Sequence, residues 1–361
     1  MRREHKFIWI ILVVVVLCGC TESETGTGPQ PQNQPKTQSQ TNTSAGIEME
    51  AELQDDSNGG NASTSNQESP ALSNEAYDTR ESTESVWSSY TALGALADSP
   101  FSIQFIDVGQ GDSALVQCDG YYMLIDGGDT SARDKVYDVL EYNGVQHLSI
   151  LAISHLHADH IGGLEKALTY ASDIEITIGN ACYPQNETSA FSKLEQRLIQ
   201  NGSSIIIPNI GDVYMLGSAK VEVADMASET PNDSLVLLVT YGKTKFLFTG
   251  DIEYEGQKRL ADKYQKANGK PYKIDLIKMP HHGSWGKDKY GYGASDLNRL
   301  IGVFMPDYAI ISCGANNEYG HPHKETLDLL DQAGVNVYRT DLNGDIIVRS
   351  DGKDLSFETS K

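Results

Sequence analysis

His155-Leu156-His157-Ala158-Asp159-His160 sets four metal-ligand side chains within six residues. The stretch follows the apolar run Leu148–Ile153 and precedes Gly162-Gly163, the pattern of a loop that leaves a buried strand and enters a helix. An extended start puts His155 and His157 on the same side of the chain, because side chains alternate along a strand. The turn that follows swings Asp159 and His160 toward a second point. Two imidazoles at one place, and a carboxylate plus an imidazole at its neighbour, suit borderline divalent ions. The competing reading is a polar loop that happens to be histidine-rich. The remaining histidines favour the metal. Of nine, only His5 and His147 stand alone; the others fall into the groups His155/His157/His160, His281/His282 and His321/His323. Histidines scattered through a core do not bunch in this way, whereas loops converging on one edge of a sheet produce such grouping.

Phe248-Thr249-Gly250-Asp251 ends a Val/Leu/Phe-rich strand, with Gly250 allowing a close backbone approach. Asp251 is expected to bridge two ions, the alternative being a helix cap for a segment starting at Ile252. Met279-Pro280-His281-His282-Gly283-Ser284 also follows a strand. Here His282 is expected as a ligand and His281 beside it or against substrate. Gly320-His321-Pro322-His323 precedes a helix, and reads either as a capped turn with solvated histidines or as an acid or anion binder near the metals. Asp159, His321 and His323 are the residues expected in the chemical step. Asp126, in Leu124-Ile125-Asp126-Gly127-Gly128, is expected to orient a ligand histidine rather than to touch metal. Gly109-Gln110-Gly111 has no following Lys-Ser/Thr, so a Walker loop is excluded.

The ends of the chain differ from its middle. Arg2, Arg3 and Lys6 precede the apolar run Phe7–Leu17, which ends in Leu17-Cys18-Gly19-Cys20. Residues 1–20 are therefore expected to be a lipoprotein-type signal with Cys20 as the lipid anchor, the alternative being an uncleaved membrane anchor. Residues 21–98 are rich in Gln, Asn, Ser, Thr, Gly and Glu, and are expected to form a disordered acidic tether that cannot bury enough surface to offset chain entropy. Residues 99–361 hold the apolar density and suffice for one large domain. Cys118, Cys182 and Cys313 show no metal-type spacing and are expected as buried thiols. A formal charge of −22 argues against a broad electrostatic grip on nucleic acid.

Alternating or apolar runs predict strands at Phe101–Asp107, Ser113–Gln117, Tyr121–Ile125, Leu148–Ile153, Ile174–Ile178, Ser204–Ile207, Val221–Ala224, Ser234–Thr240, Lys245–Phe248, Ile274–Lys278, Tyr308–Ile311, Val335–Tyr338 and Ile346–Val348. Helices are predicted near Arg133–Tyr142, Leu164–Ala171 and Phe191–Gln200, after Asp251 to about Gln265, and near Lys324–Ala333. Helices spread among two sets of strands imply an α/β fold of two stacked sheets with helices outside.

The order of these motifs resembles the metallo-β-lactamase superfamily. Within it the wording is similar to the extracytoplasmic hydrolase-like domain of ComEC-type DNA-uptake competence proteins and their stand-alone relatives. The residues that carry the likeness are Phe105–Ser113, Leu124–Gly128, Ser154–Gly163, Asn232–Leu237, Thr249–Asp251, His281–Ser284 and Tyr319–His323. The resemblance implies an αββα sandwich with a dinuclear site along one edge. One departure stands out: the superfamily's usual third histidine for the first metal is missing, since no His lies between His160 and Asp251. Either Asn232 or Asp233 substitutes, or that position is open.

The expected function is a metal-dependent extracytoplasmic hydrolase, a phosphodiesterase or nuclease acting on DNA or another phosphodiester. Two divalent ions, zinc or manganese, would hold a hydroxide between them, with His155 and His157 on one ion, Asp159, His160 and His282 on the other, and Asp251 on both. The alternatives are an envelope amide, lactam or ester hydrolase, and a non-catalytic module that binds anions through its metals.

Overall fold

Phe101, Ile103 and Phe105 leave strand β1 (Phe101–Phe105) on one face, as the twofold alternation of a strand requires. Across the interior they meet β10 (Thr244–Phe248): Phe101 stacks on Phe246 with ring centroids 4.9 Å apart, and Phe105 on Phe248 at 5.8 Å. These rings lie in the apolar layer between two sheets. The computed structural model describes residues 93–180, 188–227, 232–286 and 295–361. The expected signal, Cys20, residues 21–92 of the tether and Cys182 lie outside the described residues.

The first sheet has the order β15-β14-β1-β2-β3-β4-β5-β6, where β2 is Ala114–Cys118, β3 Tyr121–Ile125, β4 His147–Ile153, β5 Asp173–Gly179, β6 Ile205–Ile206, β14 Ile346–Ser350 and β15 Leu355–Thr359. The second has the order β13-β12-β11-β10-β9-β8-β7, with β7 Val213–Leu216, β8 Ala219–Asp225, β9 Val236–Tyr241, β11 Leu276–Lys278, β12 Tyr308–Ile311 and β13 Asn336–Arg339. Strands β3, β4 and β5 run parallel in one sheet, and β10, β11 and β12 in the other. In parallel sheets ligands gather outside the carboxyl ends of the strands. Asp126 follows β3, His155–His160 follow β4, Asp251 follows β10, and His281 and His282 follow β11. That common polarity is what sends the loops to one edge.

Helices cover both outer faces. Val136 and Leu140 of Arg133–Tyr142, Leu164 and Leu168 of Leu164–Tyr170, and Leu194 of Ser189–Gln200 pack on Leu115, Leu124 and Leu151 of the first sheet. Leu260 of Tyr254–Asn268, Leu300 and Phe304 of Ser295–Phe304, and Leu330 of Lys324–Gln332 pack on Leu238, Leu247 and Ile277 of the second. Each fully buried leucine or phenylalanine contributes roughly 1.5–3 kcal/mol, so the three apolar layers hold the sheets in fixed register. The expected α/β sandwich is the architecture found. No helix among the described residues is long and apolar enough to cross a membrane.

Several elements depart from expectation. Leu93 and Leu96, assigned to the tether, are buried in the outer layer of the first sheet, where Arg349 Nη2 donates to Leu93 O at 3.0 Å. Folded structure thus starts before residue 99. The strand expected at Ser204–Ile207 shrinks to Ile205–Ile206, and that at Ile274–Lys278 to Leu276–Lys278. Strands β7 and β15 and the helix Ser295–Phe304 were not expected. Both strands are sheet edges, and β15 alternates half-buried and exposed residues, which leaves a weak apolar signal. In the helix, Gly302 dilutes the helical propensity that Leu297, Leu300 and Phe304 declare by their spacing.

Candidate metal centre

The six-residue loop takes the two-part shape its residues require. His157 is still extended (φ −70°, ψ 150°) and caps the short helix Ala158–Ile161, which carries Asp159 and His160 in its one turn. His155 Nε2 and His157 Nδ1 come within 3.0 Å of each other. Asp159 reaches toward His282, and the His160 ring sits between them and His155, 4.1 Å from the His155 ring and 5.5 Å from that of His282. Gly111 lets this turn lie close: a side chain there would meet Asp159 O at 2.3 Å.

Asp251 is at the centre. Its Oδ2 lies 3.3 Å from His160 Nε2, 3.6 Å from His282 Nε2, and 3.9 Å from both His155 Nε2 and His281 Nε2. The helix-cap alternative for Asp251 fails, because the helix begins at Tyr254 with Glu253 at its cap. The Asp251 backbone is pinned by Ser234, whose Oγ accepts from Asp251 N at 2.9 Å. This contact demands Gly250, since a Cβ at that residue (φ +52°) would meet Ser234 Cβ at 2.5 Å.

The imidazoles are aimed by what binds their other nitrogen. His160 Nδ1 donates to Asp126 Oδ2 at 2.9 Å, and Asp126 is itself held by Ser154 N at 2.8 Å and Ser154 Oγ at 2.6 Å. His282 Nδ1 donates to Ser312 O at 3.0 Å. Both rings therefore turn Nε2 inward, and His282 Nε2 lies 3.2 Å from Asp159 Oδ2. Asp126, His281 and His282 all sit in the left-handed region, at φ +55°, +48° and +54°. Non-glycine residues pay for that conformation, and such strain collects at functional sites.

Asp159, His160, Asp251 and His282 each offer one ligand atom, all within 4.8 Å of one another. His160 Nε2 and Asp251 Oδ1 are buried without a hydrogen-bond partner. Buried polar atoms are almost always satisfied, so two orphans on neighbouring residues of a cluster with a mixed nitrogen and oxygen donor set fit a divalent cation. The residues expected around a second ion gather less closely: His155 Nε2 lies 3.9 Å from Asp251 Oδ2 and 3.0 Å from His157 Nδ1. Asn232 and Asp233 do not join them. Asn232 Nδ2 donates to Glu253 Oε1 at 2.8 Å, and Asp233 Oδ1 lies 3.8 Å from Arg259 Nη2. The residue of that loop that reaches the cluster is Ser234, 3.4 Å from His155 Nδ1. A hydroxyl carries no metal signature, so the sequence offered no cue to it. Asp112 was also missed; its Oδ1 lies 3.3 Å from His282 Nδ1.

The electrostatics are mixed. Burial opposes the charge of Asp251, yet His160 and His282 hold its carboxyl well below the usual range. Burial likewise opposes protonation of His282, but Asp251 and Asp112 lift it to about 9. Burial and the neighbouring His160 push His155 well down. His321 and His323 lie on the rim. The His321 ring is 5.5 Å from His281 and 6.1 Å from His282, while His323 Nδ1 accepts from Trp285 N at 2.8 Å. Burial and the nearby histidines bring His321 down to about 4, so at neutral pH it is an uncharged hydrogen-bonding ring rather than a cationic acid.

Residues 106–290 match the family model described as the metallo-beta-lactamase superfamily. ComE operon protein 3 of Bacillus subtilis (strain 168) is 31% identical over 271 residues, covering 68% of this chain and 33% of that protein. Competence protein ComA of Neisseria gonorrhoeae is 28% identical over 251 residues, covering 69% of this chain and 32% of that protein. The chain thus spans about a third of the length of these curated relatives. Among solved structures, the metallo-beta-lactamase fold protein YhfI from Bacillus subtilis is similar at a TM-score of 0.46 and 13% identity, over 72% of this chain and 100% of that one.

Proposed function

Since the chain belongs to the metallo-β-lactamase superfamily, and its relatives are competence proteins of the ComEC type, we propose that it is a metal-dependent hydrolase of phosphodiester bonds. The observation that carries this reading is the approach of three imidazole nitrogens to one carboxylate oxygen: Asp251 Oδ2 lies 3.3 Å from His160 Nε2, 3.6 Å from His282 Nε2 and 3.9 Å from His155 Nε2, whose ring in turn meets His157. In this reading Asp159, His160 and His282 hold one divalent cation, His155 and His157 a second, and Asp251 both. Zinc or manganese bound there would supply Lewis acidity and bring the pKa of water from about 15.7 toward 7.

The protein's own groups supply the rest. Asp126 and Ser312 O keep the tautomers of His160 and His282 fixed, so no reorientation is needed as charge develops. The uncharged His321 can donate a hydrogen bond to a phosphoryl oxygen or to the leaving oxygen, and His323, whose Nδ1 accepts from Trp285 N, can donate one through Nε2. A net charge of −22 disfavours a long duplex track and favours a short or single-stranded DNA, or another small phosphodiester. Residues 1–20 would export the chain and Cys20 would anchor it to the membrane by lipid, with residues 21–98 as spacer to the catalytic residues 99–361 outside the cytoplasm.

The test incubates the purified full chain with labelled single-stranded DNA, bis-p-nitrophenyl phosphate and nitrocefin, each with Zn²⁺ or Mn²⁺. Phosphodiester turnover that disappears in His157→Ala is the expected result. Cleavage of nitrocefin alone would move the activity to lactam or amide bonds. Metal-dependent retention of DNA without products would make the protein a binding module.

A further inference from the structure

Lys278 ends β11 and is only 3% exposed. Its Nζ donates to Asp112 Oδ2 at 2.6 Å and to Met279 O at 3.0 Å. Asp112, on the loop between β1 and β2, is itself buried and touches three of the loops that build the metal centre. Its N donates to Asp159 O at 3.1 Å, and its O accepts from Gly128 N at 2.8 Å. Its remaining carboxylate oxygen, Oδ1, has no hydrogen-bond partner and faces His282 Nδ1 at 3.3 Å.

A buried ion pair is a poor device for holding a fold together. Its desolvation cost consumes most of the attraction, and apolar residues of equal volume serve as well or better. Lys278 is too buried, and its protons too committed, to bind a substrate phosphate. What the pair does achieve is geometric. Ser312 O accepts from His282 Nδ1 at 3.0 Å and Asp112 Oδ1 lies 3.3 Å from the same nitrogen, so the ring is held with Nε2 turned to Asp159 and Asp251. A carboxylate behind a histidine also raises its strength as a ligand. The lysine fixes which way that carboxylate faces.

We propose that Lys278 and Asp112 are a positioning pair for His282: the ammonium holds the carboxylate, and the carboxylate holds the imidazole in the orientation that binds a divalent cation. This rests on the metal reading of the site. The test uses the full chain, its Asp112→Asn/Lys278→Met double variant and the Lys278→Arg variant. Zn²⁺ affinity is measured by competition with a chromophoric chelator, the cobalt(II) absorption spectrum is recorded, and a thermal melt is run. The double variant removes both charges and keeps the volumes, so it should fold and melt close to the natural chain. Its affinity for the more tightly held Zn²⁺ should fall about 10–100-fold, with an altered cobalt spectrum. Lys278→Arg, which keeps the charge, should recover part of that loss. A double variant with natural affinity and spectrum would overturn the proposal. So would one that fails to fold, since the pair would then serve the fold. A natural chain that binds neither Zn²⁺ nor Co²⁺ would sink the metal reading itself, and this inference with it.

Discussion

His160 and His282 each commit Nδ1 to an acceptor, Asp126 in one case and Ser312 O in the other, and so present Nε2 to the same point. Asp126→Asn keeps the shape but replaces the charged acceptor, and should weaken Zn²⁺ binding by about 10–100-fold in a chelator competition. Unchanged affinity would mean that Asp126 serves only Ser154. Next to Ser312, Cys313 is buried, and that burial, with Asp341 beside it, pushes its thiol up to about 12. An unfolded thiol titrates near 8.5. Below that pH both states are protonated and the thiol has no effect on stability. As pH rises above it, the unfolded state alone loses the proton, so the stability contributed by this site falls. At pH 8.5, iodoacetamide should label Cys313 only after denaturation, and rapid labelling of the native chain would contradict the burial. At this scale the histidines, Asp159, Asp251 and Asp126 were legible because their side chains announce metal chemistry. Ser234 and Asp112 were not, because a hydroxyl and a turn aspartate are common everywhere on a chain.

Elements decide how close those residues come. Strand β10 ends in Gly250 with φ +52°, against Ser234 of the loop that enters β9. A left-handed residue with a Cβ costs about 1–2 kcal/mol, and here the Cβ also collides with Ser234. Gly250→Ala should therefore lower Tm by roughly 2–4 °C for each kcal/mol lost in a domain of this size. It should also weaken metal binding by displacing Asp251. A melt and a Zn²⁺ titration of the variant check both, and a natural melt with natural binding would show that the approach is not tight. Central strands and amphipathic helices were readable from their periodicity. Edge strands β7 and β15 were not: β15 alternates, but its inward side offers only Leu355 and Phe357, both half-buried, which is too little apolar signal to stand out. The helix Ser295–Phe304 was missed through Gly302.

For the whole molecule, a cation that binds the folded chain and not the unfolded one stabilises it by about 2.7 kcal/mol at a hundredfold excess over Kd. The chain loaded with Zn²⁺ should melt several degrees above the same chain in EDTA, and coincident melts would show that the cluster holds no ion. The chain by itself determined the class of the fold and the loops that carry the chemistry. Periodicity reports which faces are buried, and histidine and aspartate are costly residues to cluster without a purpose. Tertiary structure alone decided that Asp251 Oδ2 lies within 3.9 Å of His155, His160, His281 and His282, that Asn232 turns to Glu253 while Ser234 faces inward, and that Lys278 lies behind His282 on Asp112. Those contacts join residues distant in sequence, and depend on the packing of two sheets to within an ångström, a quantity that no local pattern of residues encodes.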